Sequence, residues 1–166
     1  MAGTLTLTQA SGFFMLLAHG LTPATHGMLE HAGQVVEAEA KRLIGTYDYD
    51  PKWPELAEAT KEDRVKRGFS EDEPLLRTGK LRDSIHHKVE RSAHTVHIGS
   101  DEDVAVWQEL GTVHIPPRTF LKGAMLNKEH ELVHDLGKQL HAYLSSGKFP
   151  SASGHAINTH SEVVIP

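Results

Sequence analysis

The chain has 166 residues, 39% apolar and 23% charged, which suffices for one domain with a real core. Its formal net charge is -5 and its pI about 6.2, so it is not built to grip nucleic acid by charge alone. It holds no cysteine, which excludes disulfides and thiolate metal sites, and its longest apolar run, Phe13 to Ala18, is far too short to span a bilayer. No basic stretch precedes that run and no small-residue cleavage site follows it, so a signal peptide is not expected and the chain is expected to be cytosolic when made.

Residues 1–20 read as a polar, β-prone arm followed by a short helix, with Ser11 as cap and Gly20 as stop. A second helix is predicted over 23–44. Thr22 would cap it, Pro23 suits a first helical position, and Met28, Leu29, Ala32, Val35, Val36, Ala40, Leu43 and Ile44 recur at helical spacing. Residues 46–76 carry three prolines, many charges and no sustained period. They predict a long, mobile loop with one helical turn near Pro54 to Thr60, of the kind that serves function or assembly.

Thr78 to Ser84 suggests a short helix. Ile85, His87 and Val89 alternate, as do Thr95 to Ile98, so the two runs form a predicted hairpin around Arg91-Ser92-Ala93. The His residues of that hairpin read as polar strand positions facing solvent or a partner. Asp101 to Leu110 predicts a helix capped by Ser100 or Asp101 and stopped by Gly111. Thr112 to Phe120 is a stiff turn around Pro116-Pro117. A long helix from about Thr119 to Ser145 turns Leu121, Met125, Leu132, Leu136, Leu140 and Tyr143 inward. Residues 146–166 form a Ser/Gly-rich, flexible tail ending in Val163-Val164-Ile165, disordered alone or paired with a neighbouring subunit. The expected fold is α+β: a leading helix, a small mainly antiparallel sheet and a long C-terminal helix packed on it. Extended arms and a long loop complete a domain spanning 21–145.

One catalytic motif demands a decision. His130-Glu131-Leu132-Val133-His134 matches H-E-x-x-H, which places two zinc ligands a turn apart with a general base between them. Gly137 and His141 follow, near the longer metzincin pattern but one residue too far apart, and no Met occurs after Met125 to make a Met-turn. The three imidazoles fall on the side of the helix opposite the leucines. With 13 His in the chain, chance matches are common, so a solvated helix face is the preferred reading and a zinc-dependent metallohydrolase the alternative. No catalytic residue, metal or cofactor is assigned.

An ordered set of segments stands out instead. These are Leu76-Arg77-Thr78-Gly79-Lys80-Leu81-Arg82-Asp83-Ser84-Ile85, then Val96-His97-Ile98-Gly99-Ser100, then Val106-Trp107-Gln108-Glu109-Leu110-Gly111, then Ile115-Pro116-Pro117-Arg118-Thr119-Phe120-Leu121-Lys122-Gly123-Ala124. Over about residues 23–145 this order resembles the tailed-bacteriophage family of neck, tail-completion and minor tail proteins typified by the HK97 tenth gene product. Trp107 stands where that family usually has Tyr, and Thr119 where it has Pro.

The resemblance implies Thr78, Gly79, Leu81, Arg82, Ser84, Gly99, Trp107, Glu109, Gly111, Pro117, Arg118 and Phe120 as motif or interface residues. Gly79, Leu81, Gly111 and Phe120 read as internal structure. Arg118 reads as free for a forked bond to a carboxylate, within the chain or on a neighbour. The resemblance further implies a non-enzymatic virion protein of the head–tail junction. Six copies, or twelve, would form a ring around the DNA channel. Its partners would be neighbouring neck, connector or tail-terminator proteins, without sequence-specific DNA binding and without a membrane. An acidic balance suits a channel lining that does not hold DNA.

Overall fold

A computed structural model of the chain describes residues 7–146, with side chains described from 25 to 145. The extended arm before Leu7 and the tail after Ser146 lie outside the described residues. Seven elements follow in order: α1 (Leu7–Leu43), α2 (Glu58–Lys66), α3 (Lys80–Asp83), β1 (Ile85–Glu90), β2 (Thr95–Ser100), α4 (Asp103–Leu110) and α5 (Phe120–Ser146). The fold is α+β, with a two-stranded antiparallel sheet and a long C-terminal helix.

The two helices expected on either side of Gly20 are one. α1 runs unbroken for 37 residues through Gly20, Thr22 and Pro23. A proline without its N–H costs a helix one backbone bond, and good helix formers further out, Met15 to Ala18 before it and Met28 to Glu30 after it, favour the helix on both sides. Gly45 ends the helical stretch at φ 94°, a left-handed conformation, and its N–H donates to the Pro74 carbonyl at 2.8 Å.

α1 and α5 pack antiparallel. Asn127 donates to Glu39 at 3.0 Å, and one turn-pair further along His31 meets Asp135 at 3.6 Å. Val36, Ala40 and Leu43 of α1, with Ile44 just after it, cluster with Phe120 and Ala124 of α5, and Leu81, Ile85 and Ala105 close the cluster. Leu132 and Leu136 are half-buried as expected, but Met125 and Leu140 are exposed. The buried stripe follows Leu121, Ala124 and Leu132, so its centre is rotated away from the line through Met125 and Leu140.

The segment 46–76 packs on the core and contains α2. Tyr49, Trp53 and Pro74 are buried within the core, and the Tyr49 ring lies on Gly123, where a Cβ would come within 2.8 Å of it. α2 is longer than one turn. Buried Arg64 pins its end by donating to the carbonyls of Ser70 (2.7 Å) and Leu76 (2.6 Å). The Tyr47 hydroxyl donates to Asp72 at 2.6 Å and accepts the Leu56 N–H at 3.3 Å. These bonds turn a sequence without periodicity into a strap across the core.

The hairpin pairs Ile85 with Ser100, His87 with Ile98 and Val89 with Val96 on its inward face. Its turn spans Arg91 to His94, one residue more than expected, with His94 at φ 51°.

Candidate functional site

The motif segments converge on one corner, where α3, α4 and the start of α5 meet. Gly79 stands before α3 at φ 84°, a conformation that glycine adopts without strain, and it starts the turn that drops Leu81 into the core. Ser84 closes the turn. Its hydroxyl bonds the Leu81 carbonyl at 2.7 Å and the Ser100 hydroxyl at 2.6 Å, tying the first residues of the hairpin to its last. The N–H of Glu102 donates to the same Ser100 hydroxyl at 3.1 Å, so Ser100 shapes the approach to α4 without capping it, and Asp101 does not cap it either. Gly99 lies in β2 opposite His86. Arg82 and Thr78 are surface residues here. Arg82 reaches Asp83 at 3.4 Å, and Thr78 accepts the Lys80 N–H at 3.4 Å.

Between α3 and α4 lies an open pocket of about 230 Å³ lined by Arg77, Thr78, Lys80, Glu102 and Gln108 among others. Lys80 and Glu102 bridge its rim at 2.9 Å. Arg77 is turned aside, held by Asp63 at 2.6 Å over the Phe69 ring.

Glu109 does more than end α4. Its two carboxylate oxygens accept the N–H groups of Leu121 and Lys122, both at 2.9 Å. The first turn of α5 contains no acidic residue of its own, so Glu109 supplies the negative charge its N-terminus favours. Gly111 (φ 76°) follows, and a Cβ there would meet the Pro117 nitrogen at 2.9 Å and the Ile115 carbonyl at 3.0 Å. Pro117 therefore needs a glycine beneath it. The Arg118 N–H donates to the Gln108 carbonyl at 2.7 Å and completes the return.

Arg118 is not presented to a neighbour and meets no carboxylate. Only 5% of it is exposed, and its guanidinium donates to the backbone carbonyls of Pro54 (2.9 Å) and Glu55 (3.4 Å) in the strap. Its Nε has no partner. Burial holds its pKa below the ordinary arginine value. Phe120, next but one, is fully buried.

What this scaffold presents outward is apolar. Trp107 is 51% exposed, Leu110 74% and Val113 95%, with Val106 beside them. Val106, Trp107 and Leu110 lie on one side of α4 at helical spacing. A cluster of this kind on a short, rigidly capped helix has the composition of a contact surface.

His130, Glu131, His134 and His141 are exposed on α5, and Glu131 is paired with Lys128 at 2.7 Å. Among the described residues, no group of three or more His, Cys, Asp or Glu side chains is placed to hold a metal ion. His87, unlike these, is held inside the fold. It faces inward, with Nδ1 2.5 Å from Glu37 and Nε2 3.1 Å from Glu30, and its ring lies in the hollow left by Gly33. The hydrogen bond that the imidazole donates to Glu37 leads in raising the His87 pKa above its ordinary value. Burial pushes Glu37 up, but bonds from Lys41 and His87 outweigh it and hold that carboxyl below the usual range.

Comparison with family models, with curated proteins and with solved structures finds no match.

The double cap by Glu109 and the clasp on His87 were missed by sequence reasoning. The first had a signal: a long helix with no acid in its first turn needs one from elsewhere. The second had a weaker one, an imidazole in register with inward Ile85 and Val89.

Proposed function

We propose that the chain is a structural virion protein of a tailed phage, a ring subunit of the head–tail junction at the neck or tail-completion level. Its work on this reading is binding, not catalysis. Six copies are favoured and twelve fit the same argument. Neck, connector or tail-terminator proteins would lie above and below, and DNA would pass through without being read.

The observation that supports the reading is the corner just described. The four ordered motif segments do not assemble a nucleophile, base and orienter. They build a braced platform that leaves Trp107, Leu110 and Val113 in water. A soluble subunit that will bury such a patch against a neighbour has reason to carry it. Heterologous contacts of this type close into rings when the rotation per subunit divides a full turn.

The test is electron microscopy of the purified protein and of immunogold-labelled virions. Rings of six or twelve, with label at the head–tail junction, are expected. A protein that stays monomeric at high concentration and does not label virions would overturn the proposal.

A further inference from the structure

The pocket between α3 and α4 is not accounted for by the bracing around it. Its volume of about 230 Å³ falls below the roughly 300–1,000 Å³ of sites that take a small molecule, and it has room for one large side chain. Leu75, Leu81 and Val104 give it an apolar wall, Arg77 and Lys80 two cations, and Gln108 a side-chain carbonyl that can accept a hydrogen bond. Leu75 is held at φ 66°, a left-handed conformation rare for a bulky residue, and strain of this kind gathers at ligand clamps. The Lys80–Glu102 bridge across the rim lies at the surface, where such pairs are weak, so it does not bar entry.

A side chain that suits the pocket stands on the same helix. Trp107 is the only exposed aromatic among the described residues. Its indole offers one N–H donor and an electron-rich face, which Gln108 and Lys80 are equipped to meet. Asp103 lies one turn before Trp107 on the same side of α4 and is exposed, as is Asp101 just ahead of the helix. The face around Trp107 is thus acidic and apolar, and the pocket is apolar and lined by cations. At about 3.6 residues per turn, Val106, Trp107 and Leu110 are centred roughly 130° round α4 from Val104 and Gln108, which face the pocket. Each copy therefore carries both surfaces, on separate sides of one helix.

We propose that Trp107 of one copy inserts into the α3–α4 pocket of the next, with Asp103 of the first copy set against Lys80 of the second. The two surfaces differ, so the contact repeats head to tail, as a ring requires. It rests on the ring reading for the neighbour being a second copy of this chain, and it names the surface that receives the exposed patch.

The test uses the full-length chain and two variants. Trp107→Ala removes the incoming ring, and Thr78→Trp fills the pocket from an exposed position on its own wall. Circular dichroism and melting check that each variant folds. Light scattering after gel filtration is expected to show each variant alone as a monomer and their equimolar mixture as a dimer and nothing larger, because Trp107 of one still finds the open pocket of the other. A second pair, Asp103→Lys and Lys80→Glu, tests the contact without filling the pocket and decides the matter where Thr78→Trp does not fold. Each of these alone is expected to lose assembly, and their mixture to regain the wild-type mass, since every contact then joins opposite charges.

A mixture of Trp107→Ala and Thr78→Trp that stays monomeric overturns the proposal. So does a Trp107→Ala protein that assembles like the wild type while Thr78→Trp does not, which would give the pocket another occupant. Charge variants that each assemble like the wild type, or that stay apart when mixed, also overturn it. The ring reading fails separately: open filaments from the wild type with a mixed dimer uphold the contact without the ring, and closed rings from Thr78→Trp uphold the ring without the contact.

Discussion

Gly79 and Gly111 both adopt left-handed backbone, yet they are not equivalent. A Cβ on Gly79 would find its nearest neighbours at 3.4 and 3.6 Å, both on side chains, whereas one on Gly111 meets backbone at 2.9 and 3.0 Å. Gly79→Ala is expected to cost about 1–2 kcal/mol from conformation alone, and Gly111→Ala clearly more, because Pro117 must also move. Chemical denaturation of the two variants checks the order. Phe120→Ala, at a fully buried position, is expected to cost about 3–5 kcal/mol by the same measurement.

The His87 clasp sets a pH dependence with a definite sign. The His87 pKa is raised in the fold, so its stabilising contribution is complete below the unfolded value and is lost as pH rises through the folded one. The difference in stability between wild type and His87→Gln should therefore be largest in mildly acidic buffer and shrink toward alkaline pH. A difference that grows with pH would contradict the clasp. Glu39 acts at the other end. Hydrogen bonding from Arg42 leads in holding it down to about 2, so its contribution is present above the ordinary value of 4.5 and disappears as pH falls through about 2.

At the scale of elements, periodicity made the second half of α1, the hairpin and α5 legible, because each has a face that must be buried. The strap was not legible. Its residues are held by single long-range bonds, Arg118 to Pro54 and Glu55 and Arg64 to Ser70 and Leu76, and such bonds leave no repeat in a sequence. The fusion across Pro23 was missed for the converse reason: a local breaker was given more weight than the helix formers on both sides. Arg118 also shows how a motif residue can be noticed and given the wrong partner. Its charge pointed outward toward a carboxylate, but carbonyl oxygens within the fold take its donors. Arg118→Met is expected to free the strap before the core melts. Limited proteolysis should then cut within 46–57 in the variant while the wild type resists, and equal resistance would refute the clip.

For the whole molecule, the sequence pointed to the corner, since the ordered motifs meet there, but not to what the corner exposes. Burial is a property of packed neighbours, and Trp107 looks the same in a sequence whether it is inside or outside. Trp107→Ala is expected to change folding stability by less than about 1 kcal/mol, as surface substitutions do, while weakening self-association strongly. Sedimentation across a concentration series separates the two effects.

The length of α1 has a consequence for heat. One rod of 37 residues carries Val36, Ala40 and Leu43 into the core. A neighbour bound along this rod would withhold the same helix from unravelling, so association and folding would share one cooperative transition. The melting temperature should then climb with protein concentration, a dependence that a self-sufficient monomer lacks.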